Sequence, residues 1–336
     1  MTKLKDIAHA TGFSIATISR VLNHDQAFSV SEETRLTILS AAEKLNYRGL
    51  GWRHQLLDNG ITEEKSHLNI GLAYWHSVAN EINDPYYLSI RLAIQEYCDL
   101  HHIELKLFYL LENKHEQIKA ANLDGLIALG KYSPAEIEQL HALSPHFILV
   151  DSYSRHPEID VVNVDLEGAT KDVIEYLNKA GISQIGFIGG LEATLDDKVT
   201  MNDIRLKTFL RYEKVNHDTI YQGEFTADAG YQIMSNIIHN STLQPAYIVA
   251  SDTIAIGCLR ALNEHKIKIP NQVSIISFNN ISLSQYTTPT LTTVDLNTYH
   301  IGTTAVETLC ERIKTKRRLS KKIFISTELI KRESSL

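Results

Sequence analysis

The stretch Leu4–Asn23, LKDIAHATGFSIATISRVLN, decides how the rest of the chain is read. Leu4, Ile7 and Ala8 fall at i, i+3 and i+4, which predicts a short amphipathic helix from about Leu4 to Thr11, with Asp6 near the positive end of its dipole. Gly12 then supplies a residue that tolerates positive φ, so the chain can turn sharply. Phe13 plugs the turn, and Ser14 is placed to cap a second helix by accepting from backbone N–H groups two or three residues on. On that second helix Ile18, Val21 and Leu22 share one side, while Ile15, Ala16, Ser19, Arg20 and Asn23 share the other. Two short helices broken at a glycine outline a helix-turn-helix, the all-α N-terminal headpiece of the expected fold.

The second set of side chains suits a DNA major groove. Ile15 and Ala16 offer methyl groups to thymine, and the Arg20 guanidinium matches guanine O6 and N7 as a fork. Thr17, Ser19 and Asn23 can hold phosphates and fix register. A third helix is expected after the cap candidate Ser31, with Glu32 and Glu33 in its first turn and Leu36, Leu39, Ala42 and Leu45 laid across the helix pair.

The pattern LKDIAxxxGxSxATxSRVLN followed by VSEETRLTILSAAEKLNY resembles the headpiece of the LacI/GalR family of bacterial transcription regulators. The resemblance implies a homodimer on double-stranded operator DNA, with Leu4 and Ser14 joining the contact set. It also implies that RGLGWRHQLLDNG, which opens at Arg48, carries a hinge helix over residues 48–57 that folds only on DNA, with Leu56 as a minor-groove wedge. Gly49-Leu50 replaces the family's usual Pro-Asn, and Arg53 stands where alanine is common and adds a phosphate partner. Gly49 and Gly51 each lower helix stability by about 1 kcal/mol relative to alanine, so this hinge is expected to fold less readily. The headpiece with its hinge is placed at residues 1–57 and a polar linker at 58–67.

Charge alone would not have pointed to DNA. The net charge is −7, but residues 1–56 hold seven Lys/Arg against five Asp/Glu, about +2, leaving about −9 on the remainder. Lys3, Lys5 and Asp6 occupy the place of a signal peptide's apolar segment, and no apolar run is long enough for a membrane span, so a cytoplasmic protein without membrane contact is expected. Cys98, Cys258 and Cys310 are far apart and in no metal-ligand spacing, so they read as reduced thiols, and neither metal nor cofactor is expected.

From LNIGLAYW onward, apolar runs alternate with helical patterns through GLIALG, FILVD, QIGFIGG, AYIVAS and VSIISF, to a last strand near IFISTELI. Such alternation predicts parallel sheets covered on both faces, and two series predict two sheets. The pattern resembles the periplasmic-binding-protein fold: an α/β body of two doubly wound parallel-sheet lobes, joined by three crossings near residues 161–164, 292–296 and 324–327. The N-terminal lobe is expected over 68–162 and 296–324, and the C-terminal lobe over 163–295 and 325–333.

Ligands of open α/β sheets sit at the carboxyl ends of strands. There the chain places Asp151, Phe225, Ser251, Asp252, Asn279 and Asn280, with Arg205 on the helix after GFIGG and Trp75 at the end of the first strand. Arginine, carboxylates, amides and aromatic faces are what a neutral sugar needs. The resemblance places the effector site of sugar-responsive members at these positions, although SFNN (Ser277–Asn280) replaces the frequent Gly-Phe-Asp-Asp and Ser251 replaces a common asparagine. In EINDPYYLSIRLAIQ, Glu81–Gln95, Tyr86 is expected to point its phenol toward the cleft and Tyr87 to be core. This segment is similar to family members that answer to galactosides, which implies galactose, lactose or another β-galactoside as effector; inducer and co-repressor stay open. No nucleotide-binding, nucleophile or metal motif is present, which speaks against an enzyme, and a transport receptor would need an export signal and would not carry the headpiece.

Overall fold

The structure, a computed structural model, describes residues 4–22, 30–31, 34, 37–38, 41, 68–110, 115–194, 199–200, 203–211, 217–240 and 242–336. The chain divides between residues 66 and 67 into two units.

In the first unit, helices Leu4–Thr11 and Ile15–Leu22 flank Gly12, whose φ of 74° is the left-handed turn that glycine permits. The Gly12 N–H closes onto the Ala8 carbonyl at 2.9 Å, and Ser14 Oγ accepts the Thr17 N–H at 3.1 Å, capping the second helix. Ile7, Ile18, Val21 and Ile38 form a small buried cluster, with Leu4, Ala8, Phe13, Val30 and Ala41 packed against it. Thr34 donates its N–H to Ser31 Oγ at 3.2 Å, the cap expected for the third helix, and Thr34, Thr37, Ile38 and Ala41 are helical. Asn23, Glu32, Glu33, Leu36, Leu39, Ala42, Leu45, the hinge with Arg53 and Leu56, and the linker 58–67 lie outside the described residues, as do the side chains of Ala16 and Leu22.

The second unit holds two six-stranded sheets. The N-terminal lobe is built on β1 (Asn69–Tyr74), β2 (Glu104–Tyr109), β3 (Gly125–Leu129), β4 (Phe147–Val150) and β5 (Asp160–Val164), plus a late strand, β13 (Lys322–Ile325), in the order β13-β5-β4-β3-β1-β2. The C-terminal lobe is built on β6 (Ile185–Gly190), β9 (Ile220–Gly223), β10 (Ala246–Val249), β11 (Ser274–Phe278), β12 (Thr292–Asp295) and β14 (Glu328–Ile330), in the order β14-β12-β11-β10-β6-β9. A two-stranded ribbon of β7 (Glu192–Ala193) and β8 (Val199–Thr200) follows β6. Strands such as GLIAL and FILV are buried at every position, as strands covered on both faces must be.

The sheets are parallel except at one edge, where β14 runs antiparallel to β12. The stretch IFISTELI, expected as one strand, is two: β13 finishes the first sheet and β14 edges the second, with Ser326 and Thr327 between them. The chain also passes between lobes after β5 and after β12, where helix Thr298–Thr315 returns to pack on helix Pro85–Leu100. The largest core cluster runs through both lobes, from Ile70 and Ile127 to Ile248 and Phe278.

In each sheet the winding reverses direction once. In the first, β1 lies between β2 and β3; in the second, β6 lies between β9 and β10. At such a reversal the loops leave in opposite directions and open a crevice at the carboxyl ends. Trp75 and Gly130 follow β1 and β3, and Leu191 and Ala250 follow β6 and β10. The chemistry collects there.

Candidate functional site

On the headpiece, Ile15, Ser14 and Arg20 are exposed, Thr17 and Ser19 partly so, and Ile18 and Val21 are buried on the opposite side. Leu4 is partly buried and packs on the headpiece cluster.

In the N-terminal lobe the crevice is aromatic. Asp84 caps helix Pro85–Leu100 through the Tyr87 N–H at 3.3 Å, and Pro85 at the first helical position sets Tyr86 and Tyr87 in the first turn. The rings of Tyr86 and Tyr87 meet at 5.0 Å, and those of Tyr87 and Trp75 at 5.3 Å. Gly130, at φ 133°, leaves room for the indole: a Cβ there would come within 2.1 Å of Trp75 Cγ. The Trp75 Nε1–H is buried with no acceptor among the described residues, so it is a donor in waiting. Tyr87 is buried as expected of a core residue, yet its hydroxyl donates to Asp151 Oδ2. Asp151 sits at φ 57°, a left-handed conformation for a residue with a side chain, and it also meets Lys131 Nζ at 3.2 Å.

In the C-terminal lobe the crevice is built on one arginine. Arg205 Nε donates to Asp203 Oδ1 at 2.8 Å, Nη1 donates to the Ala250 carbonyl at 2.6 Å, and Nη2 stands 3.8 Å from Glu192 Oε1. Its guanidinium lies 5.8 Å from the Phe225 ring centroid and 5.7 Å from that of Phe278, and the Phe225 ring crosses Gly190. Burial works to lower the Arg205 pKa, but Asp203 and Glu192 more than offset it and hold the group above its ordinary value.

A charged contact joins the lobes: Lys131 Nζ, just past β3, stands 3.8 Å from Glu192 Oε1. Burial opposes the charge on Lys131, yet Asp151 and Glu192 raise its pKa. Glu192 itself is raised by burial, with Lys131 and Arg205 pulling the other way. Burial first, then Asp151, pushes the Tyr86 phenol well above its ordinary value, so it remains a neutral donor.

Trp75, Tyr86, Asp151, Arg205 and Phe225 are thus linked through a chain of contacts that also uses Tyr87, Lys131 and Glu192. The other four expected effector residues are placed differently. Asp252 is fully buried: Oδ1 accepts from Ser277 Oγ and, at 2.6 Å, from Thr293 Oγ1, while Oδ2 accepts the Ile281 N–H at 2.8 Å. Its place is an internal strut between β11, β12 and the following loop, and burial pushes its carboxyl up to about 6. Ser251 caps helix Asp252–Glu264, accepting from the Ile254 N–H at 3.3 Å. Asn280 is engaged by Arg332 and Asp295 at 2.8 and 2.9 Å. Asn279 and Asn280 have φ of 109° and 49°, a turn that asparagine tolerates better than most side chains.

Lys131, Glu192 and Asp203 were not singled out from sequence. Lys131 had a signal, because it follows the strand GLIALG at its carboxyl end just as Asp151 follows FILV. Glu192 and Asp203 had none, since only the fold brings them to Arg205. Outside the crevice, Glu138, His141 and His156 bring donor atoms within 4.8 Å of one another, but His156 Nδ1 accepts the Glu158 N–H at 3.2 Å and so leaves the ring proton on Nε2, the nitrogen a metal would need. Burial pushes the Cys98 thiol up to about 12 and that of Cys310 up to about 11, as inert thiols. No helix among the described residues is long and apolar enough to cross a membrane.

Comparison with known proteins agrees with this layout. Residues 3–49 match the family described as bacterial regulatory proteins, lacI family, and residues 174–335 match the periplasmic binding protein-like domain. The chain is 38% identical to the HTH-type transcriptional regulator GalR of Lacticaseibacillus casei, with 100% of both chains covered. It is 36% identical to the HTH-type transcriptional regulator GanR of Bacillus subtilis (strain 168), with 99% of both covered. The crystal structure of the lac repressor dimer bound to operator and the anti-inducer ONPF shares the fold, with a TM-score of 0.71 over 100% of this chain and 99% of that one at 22% identity. The protein therefore belongs to the LacI/GalR family: it is a DNA-binding transcriptional repressor governed by a small-molecule effector, and not an enzyme.

Proposed function

We propose that the chain represses a galactoside-utilisation operon as a homodimer and leaves its operator when galactose, lactose or another β-galactoside binds between the lobes. The observation that carries this reading is the chain of contacts from Trp75 through Tyr87, Asp151, Lys131 and Glu192 to Arg205 and Phe225. It sets aromatic faces for a sugar's C–H surface beside charged groups that pair with adjacent hydroxyls. Val78, Ile82 and Leu92 on the N-terminal lobe and Leu283 and Tyr286 on the C-terminal lobe are large apolar side chains left exposed, which supports a partner copy. On the DNA side, Ile15 and Arg20 read bases while Ser14, Thr17 and Ser19 hold phosphates.

The test is a thermal-shift screen of sugars on the full chain, followed by operator release with each sugar that binds. A galactoside should raise the melting temperature and release operator DNA. Stabilisation by a chemically unrelated ligand, with no galactoside effect, would overturn the assignment. Arg20→Ala should cost about 1 to 3 kcal/mol on the operator and relax one base pair in a site selection; an unchanged selected motif would remove Arg20 from base reading.

A further inference from the structure

A second charged cluster lies on the edge of the first sheet opposite the crevice. Arg312, Lys316, Arg317 and Arg318, at the end of helix Thr298–Thr315 and in the turn beyond it, line a cavity of about 360 Å³ together with His141 and His146. β4 separates His146 on this edge from Asp151 in the crevice, about 16 Å away at the rise of an extended strand. The two sites are therefore separate.

The charges on this edge do not balance. Arg317 forks onto the fully buried Asp160 (3.0 and 2.8 Å) and also takes Glu311 at 3.0 Å. The Lys321 N–H adds a third bond to Asp160 at 2.6 Å, so this carboxylate is satisfied without Arg312. Arg312 is nearly as deeply buried, with a side chain 7% exposed. Its Nη1 stands 3.2 Å from Asp160 Oδ2 but is not aligned as a hydrogen bond, and neither Nε nor Nη1 has an acceptor among the described residues. His146 Nδ1 is buried without a partner as well. Basic residues at a helix C-terminus often do no more than complement its dipole, which accounts for exposed Lys316 and Arg318. It does not account for buried guanidinium donors left unfilled, which are costly unless an acceptor arrives.

We propose that this cavity is a binding site for a small phosphate monoester. With Arg317 and Lys321 (Nζ 3.1 Å from Glu311 Oε2) balancing Asp160 and Glu311, and Glu158 offsetting one of the other three cations, about two positive charges remain in the lining. That matches the charge of about −1.5 to −2 on a phosphate monoester near pH 7. Arg312 supplies a planar fork for phosphate oxygens, and the exposed Lys316 and Arg318 close over it. The cavity falls within the range of small-molecule sites, about 300–1,000 Å³, and exceeds what an inorganic ion fills, so the ligand carries an organic body.

Calorimetry on the full chain tests this with glycerol phosphate, inorganic phosphate and glycerol as probes. Glycerol phosphate should bind once per chain, more tightly than inorganic phosphate, and glycerol should give no heat. The Lys316→Ala/Arg318→Ala double variant changes only exposed side chains and should weaken glycerol phosphate at least tenfold; Arg312→Gln should abolish binding. Inorganic phosphate binding as tightly as the monoester would overturn the ligand assignment. No heat from either anion at millimolar concentration, or an unchanged affinity in the double variant, would overturn the site.

Discussion

The two walls of the crevice are built on different principles. In the C-terminal lobe the polar groups are tied to their own lobe: Arg205 to Asp203 and the Ala250 carbonyl, Asp252 to Ser277, Thr293 and Ile281, Asn280 to Arg332 and Asp295. In the N-terminal lobe the wall is a stack of rings holding a buried indole N–H with no acceptor among the described residues, and its Asp151 and Lys131 form a pair from which Lys131 reaches toward the other lobe. One wall is a largely fixed template whose Asp203 Oδ2 is a buried acceptor without a partner among the described residues; the other keeps a spare donor. A ligand can shift a two-state protein only by its differential affinity for the two states, so here the difference falls on these open groups and on the Lys131–Glu192 contact.

The largest expected effect would break the fixed wall. Arg205→Ala leaves Asp203 buried without its cation and Glu192 with Lys131 alone, which should cost about 3–5 kcal/mol of stability. Sugar binding should vanish in the same protein, because the proposed function puts this guanidinium on the ligand. Urea unfolding beside calorimetry checks both; a stability loss with sugar affinity intact would make Arg205 a structural residue alone.

Lys131→Met should cost less, about 2 kcal/mol near pH 8, because the lysine is partly exposed and its contact with Glu192 is long. The sign with pH sharpens the comparison. Glu192 is held above the usual carboxylate range by burial, so the folded state binds more protons than the unfolded one in that range, and the stability tied to this group falls as pH rises through its titration. Removing Lys131 takes away the strongest interaction lowering that pKa, so the variant's deficit should be smaller at pH 5 than at pH 8. An equal deficit at both would mean that Lys131 does not neutralise Glu192.

The smallest effect is the most selective. Trp75→Phe removes a buried donor that nothing among the described residues accepts, so stability should hold or rise. If the sugar accepts that N–H, its binding should weaken by about 1 kcal/mol, readable as a several-fold rise in Kd. Unchanged affinity would leave Trp75 as a stacking surface only.

The headpiece could be read from sequence because its information is local: the spacing of Ile7, Ile18 and Val21, the turn at Gly12 and the cap at Ser14 lie within eighteen residues. The sheets were legible as well, because strands buried on both faces are continuous apolar runs. The crevice was legible by half. Strand ends mark Asp151 and, equally, Lys131, but no pattern separates a side chain that enters the crevice from one that turns inward. Asp252 and Ser251 follow β10 as Asp151 follows β4, yet one became a strut and the other a helix cap, because β11 and β12 bring hydroxyls to Asp252. Glu192 and Asp203 meet Arg205 through a ribbon and a helix start that propensity does not place.

The central claim is that one sugar, held between these two unlike walls, opposes DNA binding by the same protein. Linkage makes that claim strict: the factor by which sugar weakens operator affinity must equal the factor by which operator weakens sugar affinity. The direct measurement is the galactoside Kd of the full chain, free and saturated with operator DNA, beside the operator Kd with and without the galactoside at one salt concentration. The account predicts weaker sugar binding on DNA, by about 5- to 150-fold, with the two ratios equal. The same sugar Kd on and off the operator would contradict it.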